Sequence, residues 1–254
     1  MRNNFGKKTI LLAVVVTVAL FAAQGLMGQT PKTAEEFNKR GLEYYSKGDL
    51  QNAIADFTQA IKLNPNHPNY YYNRGFIYIS MEDYSKAVTD MTQAIKYDSS
   101  DPDIYYERGW AYYCMENFNN AIADYTQTLK LDPNYTLAYK NRGYAYMEIN
   151  EYDKAITDFT QVIKLDPKNP DNYYPRANAY ARKRDYDKAI ADFTQVINLD
   201  KKSYEAYYYR GYLYSIKEDY KKAIADYEAA LKIDPGNTDI KFALEDARQA
   251  SKKK

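Results

Sequence analysis

Histidine and cysteine are almost absent from this sequence: its 254 residues include one of each, with a single tryptophan. One histidine is too few for a histidine-based catalytic or metal site, and the chain has neither a zinc-binding spacing nor a glycine-rich phosphate loop. Its acidic residues are dispersed, with no pair that indicates general acid–base chemistry. The lone Cys114 cannot form an intramolecular disulfide, so the fold depends on packing. We therefore expect no enzymatic activity, no metal and no other cofactor.

An excess of charge of one sign is also absent. The chain has 35 basic and 34 acidic residues, giving a formal net charge of +1. A nearly neutral chain lacks the basic surface that nucleic-acid binding needs, so we exclude nucleic acid as a partner. The sequence is instead rich in tyrosine, with 30 tyrosine residues.

Residues 1–28 are predicted to be a signal peptide. Three basic residues precede an unbroken apolar run at 9–23, and Ala23 and Gly25 give the small-x-small pattern of a cleavage site. The alternative is an uncleaved membrane anchor, although the run is shorter than the roughly 18 residues of a spanning helix. Both interpretations place the rest of the chain outside the cytoplasm. After cleavage the protein would be periplasmic or secreted; without cleavage it would be anchored in the inner membrane, with membrane contact limited to this segment.

A unit of 34 residues recurs six times without an insertion, after a linker at 29–33. Each copy contains two helix-forming runs separated by a short polar break. A fixed period of this length predicts stacked helical hairpins, because one hairpin cannot bury its own apolar faces. The copies are 34–67, 68–101, 102–135, 136–169, 170–203 and 204–237.

The two ends of the array carry their own helix signals. Thr33 and Glu36 have the spacing of a capping box, which predicts that the first helix starts near Ala34. Residues 238–251 carry one apolar stripe, so they are predicted to form a capping helix over the last hairpin. Residues 252–254 are a charged tail.

Small residues are predicted to bring the two helices of each hairpin close together. In the fourth copy these are Gly143 in the first helix and Ala155 in the second, with Tyr146 and Phe159 filling the seam between the helices.

The unit resembles the tetratricopeptide repeat, and the resemblance covers residues 34–237. In the fourth copy the residues that match this motif are Tyr139, Gly143, Tyr146, Ala155, Phe159 and Pro167. The resemblance implies an all-α fold, a right-handed α-solenoid of helix-turn-helix repeats. It also implies that the first helices line a concave groove, which the family uses to bind an extended peptide or a helix of another protein. One departure is clear: arginine stands just before the glycine, where the family most often has leucine.

Arginine and aspartate recur in two matched columns, sixteen residues apart. The arginines are Arg40, Arg74, Arg108, Arg142, Arg176 and Arg210, and the aspartates are Asp56, Asp90, Asp124, Asp158, Asp192 and Asp226. This spacing puts both residues near the middle of the helix contact. It predicts ion pairs, within a copy or between neighbours, that form a structural ladder fixing the register. The alternative is a set of arginines that extend along the surface into solvent.

A second set of aromatic residues would lie on the groove side if the family geometry holds. We name this set the aromatic row: Tyr72, Phe76, Tyr106, Trp110, Tyr113, Tyr144, Tyr174, Tyr208 and Tyr212. Aromatic residues on an open surface are typical of recognition sites. The row therefore predicts a partner-binding groove centred on residues 68–169. The alternative is ordinary packing between adjacent first helices.

These patterns favour a non-enzymatic scaffold or adaptor that holds a peptide or helix of another protein. Two alternatives belong to other classes. The aromatic residues could bind a glycan of the cell envelope, or the array could be a structural module that self-associates through its ends.

Overall fold

In the computed structural model, residues 31–253 are described, and their regular structure is entirely helical, with no strand. The predicted signal peptide at 1–28 lies outside the described residues. No helix within 31–253 is long and apolar enough to cross a bilayer. The first six helices are α1 Ala34–Ser46, α2 Leu50–Leu63, α3 Pro68–Ser80, α4 Tyr84–Tyr97, α5 Pro102–Cys114 and α6 Phe118–Leu131. The remaining helices are α7 Thr136–Glu148, α8 Tyr152–Leu165, α9 Tyr173–Arg182, α10 Tyr186–Leu199, α11 Tyr204–Ile216, α12 Tyr220–Ile233 and α13 Thr238–Lys252.

The all-α fold expected from the sequence is confirmed, and it consists of consecutive helical hairpins. The chain divides into two compact units: one ends at Pro65 and contains the α1–α2 hairpin, and the other begins at Asn66 and contains α3 to α13. In this second unit, the second helix of each hairpin also packs on the first helix of the next hairpin. First helices contact one another as well, since α5 touches both α3 and α7.

The first described helix begins as the capping box predicts. The Glu36 amide donates to Thr33 Oγ1 at 3.2 Å, and the Thr33 amide donates to Glu36 Oε2 at 3.1 Å. Two amides that the helix leaves without partners are thereby satisfied.

Each hairpin turn contains one residue in the left-handed region of backbone conformation. In the first turn this residue is Gly48, with a φ of 77°. The other turns use residues with side chains, whose φ values lie between 58° and 65°: Glu82, Glu116, Asn150, Arg184 and Glu218. This conformation costs a residue other than glycine roughly 1–2 kcal/mol. It persists because the two packed helices fix the path of the turn.

The close approach of the two helices in each hairpin is confirmed in the fourth copy. A Cβ atom added to Gly143 would lie 2.6 Å from Phe159 Cε1. Ala155 is fully buried on the facing helix, and Phe159 is buried beside it. Glycine is therefore required here by the aromatic ring beneath it.

The fifth copy departs from the pattern at its first helix. A 3₁₀ turn, Pro170–Asn172, comes first, and α9 has ten residues where the other first helices of the copies have thirteen. Pro175 explains the change, because a proline nitrogen cannot donate to the carbonyl four residues earlier, that of Asp171. Asn172 secures the irregular turn by donating from Nδ2 to the Asp166 carbonyl at 2.9 Å.

Candidate functional site

The arginine–aspartate ladder is present in all six copies. In each pair the arginine Nε and Nη2 donate to the two oxygens of one carboxylate, over distances of 2.7–2.9 Å. The six aspartates are buried and the arginines half-buried. The predicted ion pairs are therefore confirmed within the copies, and arginines that extend into solvent are excluded.

Aromatic rings flank the ladder arginine on both sides in the first, third and fourth copies. The Arg108 guanidinium lies 5.8 Å from the Tyr105 ring centre and 6.0 Å from that of Tyr112. Arg142 lies in the same way between Tyr139 and Tyr146. These contacts favour a cation over the aromatic faces. Part of the large tyrosine content thus serves to position arginine between the helices.

The ladder also connects neighbouring hairpins through a column of threonines that the sequence analysis missed. Arg142 Nη1 donates to Thr126 Oγ1 of the preceding copy at 3.0 Å. Three further bonds repeat this contact: Arg108 to Thr92, Arg176 to Thr160 and Arg210 to Thr194. The sequence contains a pattern that indicates this column, because each threonine follows a ladder aspartate by two residues. The ladder arginines, aspartates and threonines are thus hydrogen-bonded to one another across neighbouring hairpins.

The aromatic row does not form one uniformly open surface. Tyr106 is only 5% exposed, which contradicts its placement on an open groove surface. Its ring packs against Tyr125 and Tyr135, with ring centres 5.8 and 5.0 Å away, and its hydroxyl accepts from Asn141 Nδ2 at 3.0 Å. The adjacent helix α7 supplies that amide, so the neighbouring hairpin accounts for the burial.

Most of the row combines packing with partial exposure. Tyr72, Phe76, Trp110, Tyr113, Tyr144, Tyr174 and Tyr208 are half-buried. Trp110 stacks on Tyr113 at 5.8 Å, and Tyr144 meets Phe159 edge-on at 5.3 Å. The alternative of ordinary packing thus describes part of what these rings do.

Exposed aromatic surface is found at the C-terminal end of the row, on α11. Tyr209, Tyr212 and Ile216 are 36%, 52% and 41% exposed, and their spacing of three and four residues places them on one face of the helix. We call these three residues the α11 patch. The predicted centre of the site is instead residues 68–169, where all the rings of the aromatic row are half-buried or buried.

A cavity of about 420 Å³ adjoins the α11 patch. It lies between the 3₁₀ turn that precedes α9 and the start of α11, and Tyr209 belongs to both the cavity and the patch. Asp171, Asp200 and Glu205 also line it. No spacing in the sequence indicates this cavity, because it depends on the irregular start of the fifth copy.

Glu107 on α5 is a buried acid that the sequence analysis also missed. Burial, followed by the nearby charge of Asp103, raises the pKa of Glu107 to about 8. Among residues 31–253 its carboxyl group has no ion pair. The sequence does mark this residue, because Glu107 is the one acidic residue at this position of the repeat. The other copies have Lys39, Asn73, Asn141, Pro175 and Tyr209 there.

The other candidates for chemistry have structural surroundings. Cys114 is half-buried, and burial raises the pKa of its thiol, which disfavours the reactive thiolate. No group of three or more histidine, cysteine, aspartate or glutamate side chains in the described part of the chain is arranged to hold a metal ion.

Sequence profiles of one repeat family match most of the chain. A profile described as TPR repeat matches residues 41–81, 77–115 and 143–184. Two profiles described as tetratricopeptide repeat match residues 174–238 and 102–135. A curated relative, an uncharacterised protein of Methanocaldococcus jannaschii, is 38% identical over 47 residues. That alignment covers 18% of this chain and 55% of the relative, so the match spans about half the relative's length.

Solved structures share the fold. The C-terminal part of a TPR repeat-containing protein from Cytophaga hutchinsonii has a TM-score of 0.74 and 25% identity, covering 84% of this chain and 88% of that one. MamA has a TM-score of 0.62 and 25% identity, covering 64% of this chain and 95% of its own. YrrB, a TPR protein with an unusual peptide-binding site, has a TM-score of 0.64 and 21% identity, covering 76% of this chain and 97% of its own. At that identity the similarity to YrrB is one of fold.

Proposed function

This chain belongs to the tetratricopeptide repeat family, and we propose that it is a non-enzymatic scaffold that binds a peptide or helix of another protein. The α11 patch is the observation that carries the proposal. Two tyrosines and an isoleucine are exposed together on a helix whose other faces pack in the array. Aromatic side chains provide large contact area at a small cost in conformational entropy, and they dominate binding energy at many protein interfaces.

The ladder supports this function by keeping the binding surface in place. Each ladder arginine from Arg108 to Arg210 bonds to an aspartate in its own hairpin and to a threonine in the preceding one. Neighbouring first helices are therefore held in a fixed register. A surface that is ordered before binding loses less entropy when a partner docks.

The proposal also places the protein outside the cytoplasm, periplasmic or secreted, with residues 1–28 as its export signal. The partner would then be an extracytoplasmic protein. N-terminal sequencing of the chain recovered from a cell-envelope fraction tests this part. A start close to residue 29 would support it, whereas an intact Met1 in a cytoplasmic fraction would contradict it.

Photo-crosslinking identifies the partner and tests the surface. A photoreactive amino acid at position 212 should crosslink a partner in the native host, whereas the same group at Leu165, an exposed position on a second helix, should not. With the purified partner, Tyr212→Ala should raise Kd roughly 30-fold, the loss of a hot-spot residue worth about 2 kcal/mol. Leu165→Ala is the matched control. Equal Kd values for the wild type and Tyr212→Ala would refute the surface.

Self-association is a second candidate, favoured by Phe242. This residue is 77% exposed on α13, at the position that corresponds to Tyr106 in α5. The neighbouring hairpin covers Tyr106, whereas α13 is the last of the described helices. Sedimentation velocity distinguishes the candidates, because association through this end should increase with protein concentration and be lost in Phe242→Ser. A monomer at every concentration excludes it.

A further inference from the structure

The cavity beside the α11 patch has a wall that the other hairpins lack. Pro170 and Asp171 line it from the 3₁₀ turn, whereas the matching residues of the third copy, Pro102 and Asp103, belong to the first turn of α5. The space is a half-open cavity of about 420 Å³ at the surface, and Asp171, Asp200 and Glu205 in its lining are exposed.

Two of the aromatic walls of this cavity are fixed by one buried ring. Phe193 of α10 meets Tyr174 edge-on at 5.8 Å and stacks on Tyr209 at 5.7 Å. The Tyr174 hydroxyl is also hydrogen-bonded to Ser203 Oγ. Tyr204 provides a third aromatic lining residue. Fixed aromatic faces attract cations, because the ring face carries partial negative charge.

Negative charge surrounds the same space. The carboxylates of Asp171, Asp200 and Glu205 line the cavity, against one basic residue, Lys202. None of these carboxylates forms an ion pair with a lysine or arginine anywhere in residues 31–253. The pKa of the Tyr174 hydroxyl is raised to about 12, first by burial and then by the nearby charges of Glu205, Asp171 and Asp200. The cavity is thus acidic and aromatic at once.

We propose that this cavity receives a lysine or arginine side chain of the partner segment that lies on the α11 patch. The inference rests on the proposed function and specifies the chemistry of the partner. Because Tyr209 belongs to both the patch and the cavity, one extended segment can place apolar residues on the patch and a cationic residue beside it. Facing carboxylates and aromatic rings complement such a cation in charge and shape.

Other ligands fit these walls less well. A metal ion needs several converging ligands, and the described residues contain no such group. An anionic side chain would be repelled, because three carboxylates line the cavity against one lysine. An uncharged apolar side chain would bury those carboxylates without replacing their hydration.

Selection from a library of random twelve-residue peptides tests the proposal with the full chain as the target. Enriched sequences should contain lysine or arginine at a fixed distance from an apolar residue. One enriched peptide is then synthesised in its original form, with its basic residue replaced by glutamine, and with lysine and arginine exchanged. The wild-type chain should bind the original peptide at least about tenfold more tightly than the glutamine form. The exchanged form shows which cation is preferred.

Variants of the chain separate this inference from the proposed function. Asp171→Asn combined with Glu205→Gln should bind the original and glutamine peptides equally. The control pair Glu43→Gln and Glu116→Gln removes the same charge at exposed residues elsewhere and should keep the preference. Thermal unfolding followed by circular dichroism checks that both double variants are folded.

Each outcome supports or overturns a stated claim. Equal binding of the two peptides to the wild type, or a preference that survives in the cavity variant, overturns the cationic site. The proposed function can survive the loss of the cationic site. If Tyr212→Ala raises the Kd of both peptides equally, the α11 patch still binds them and the proposed function stands. A selection that enriches no sequence overturns both.

Discussion

Glu107 shows at the scale of one residue how position in the array changes side-chain chemistry. It is the one acid in its column, and α5 holds it in a buried environment beside Asp103. Removing a carboxylate from water disfavours its charged form. Because its pKa is raised to about 8, this side chain is largely neutral at pH 7.

Glu107 should make the protein less stable as pH rises. Between its ordinary pKa of 4.5 and the folded-state value of about 8, the unfolded chain ionises while the folded chain stays protonated. The free energy of unfolding therefore falls across this window, by roughly 1.4 kcal/mol for each unit of pKa difference. Urea unfolding of the wild type and Glu107→Gln at pH 5 and pH 8 measures the effect. The glutamine variant should lose less stability between the two pH values, and parallel profiles would contradict the assignment.

The hairpin is the element in which the ladder acts. Arginine replaces the leucine that the family most often has, and its charge is matched by a buried aspartate sixteen residues later. Aromatic rings three residues before and four residues after the arginine complete its surroundings. The charged arginine that replaces the apolar leucine thus finds its counter-charge and its packing partners within the same two helices.

Removing one ladder carboxylate should destabilise the protein strongly. Asp124→Asn leaves the half-buried Arg108 without its counter-charge, and the loss expected for a broken buried pair is about 3–5 kcal/mol. Thermal and urea unfolding measure it. Glu151→Gln, which breaks an exposed pair with Lys154, is the control and should cost less than about 1 kcal/mol.

The double variant Arg108→Leu with Asp124→Leu separates the loss of pairing from the loss of packing. Replacing both charges of a buried pair by apolar residues is often nearly neutral. This variant should therefore recover most of the stability lost in Asp124→Asn. An unchanged melting midpoint in the single variant would mean that the pair contributes nothing to stability.

At the scale of the whole molecule, stability is built from contacts between neighbours. From α3 to α13 each helix packs on the helices next to it in sequence, and some first helices also touch one another. In such an array the free energy of unfolding is approximately a sum of hairpin and interface contributions.

Adding an internal copy should therefore stabilise the protein. Inserting a second copy of residues 136–169 directly after Asn169 adds one hairpin, one interface and one ladder pair without changing the register. The melting temperature should rise, since about 1 kcal/mol corresponds to roughly 2–4 °C in a chain of this size. Deleting residues 238–254 is the opposite change and should lower it, because it uncovers Tyr227 and Ala230. An inserted copy that lowers the melting temperature would contradict additivity.

The sequence by itself determined the hairpins and the ladder. Helix positions, the close approach of the two helices at Gly143, and the pairing of arginine with aspartate all follow from spacings inside one copy. Such contacts are local, and six repetitions of the same spacing distinguish them from chance.

Only the tertiary structure decided which residues of the aromatic row reach solvent. Tyr106 and Tyr212 belong to the same predicted set, yet the neighbouring hairpin covers one ring and leaves the other exposed. The cavity beside Tyr209 likewise depends on how the turn before α9 meets α11. Exposure and cavities depend on the residues that face each position from the next hairpin, and no periodicity within a single copy contains that information.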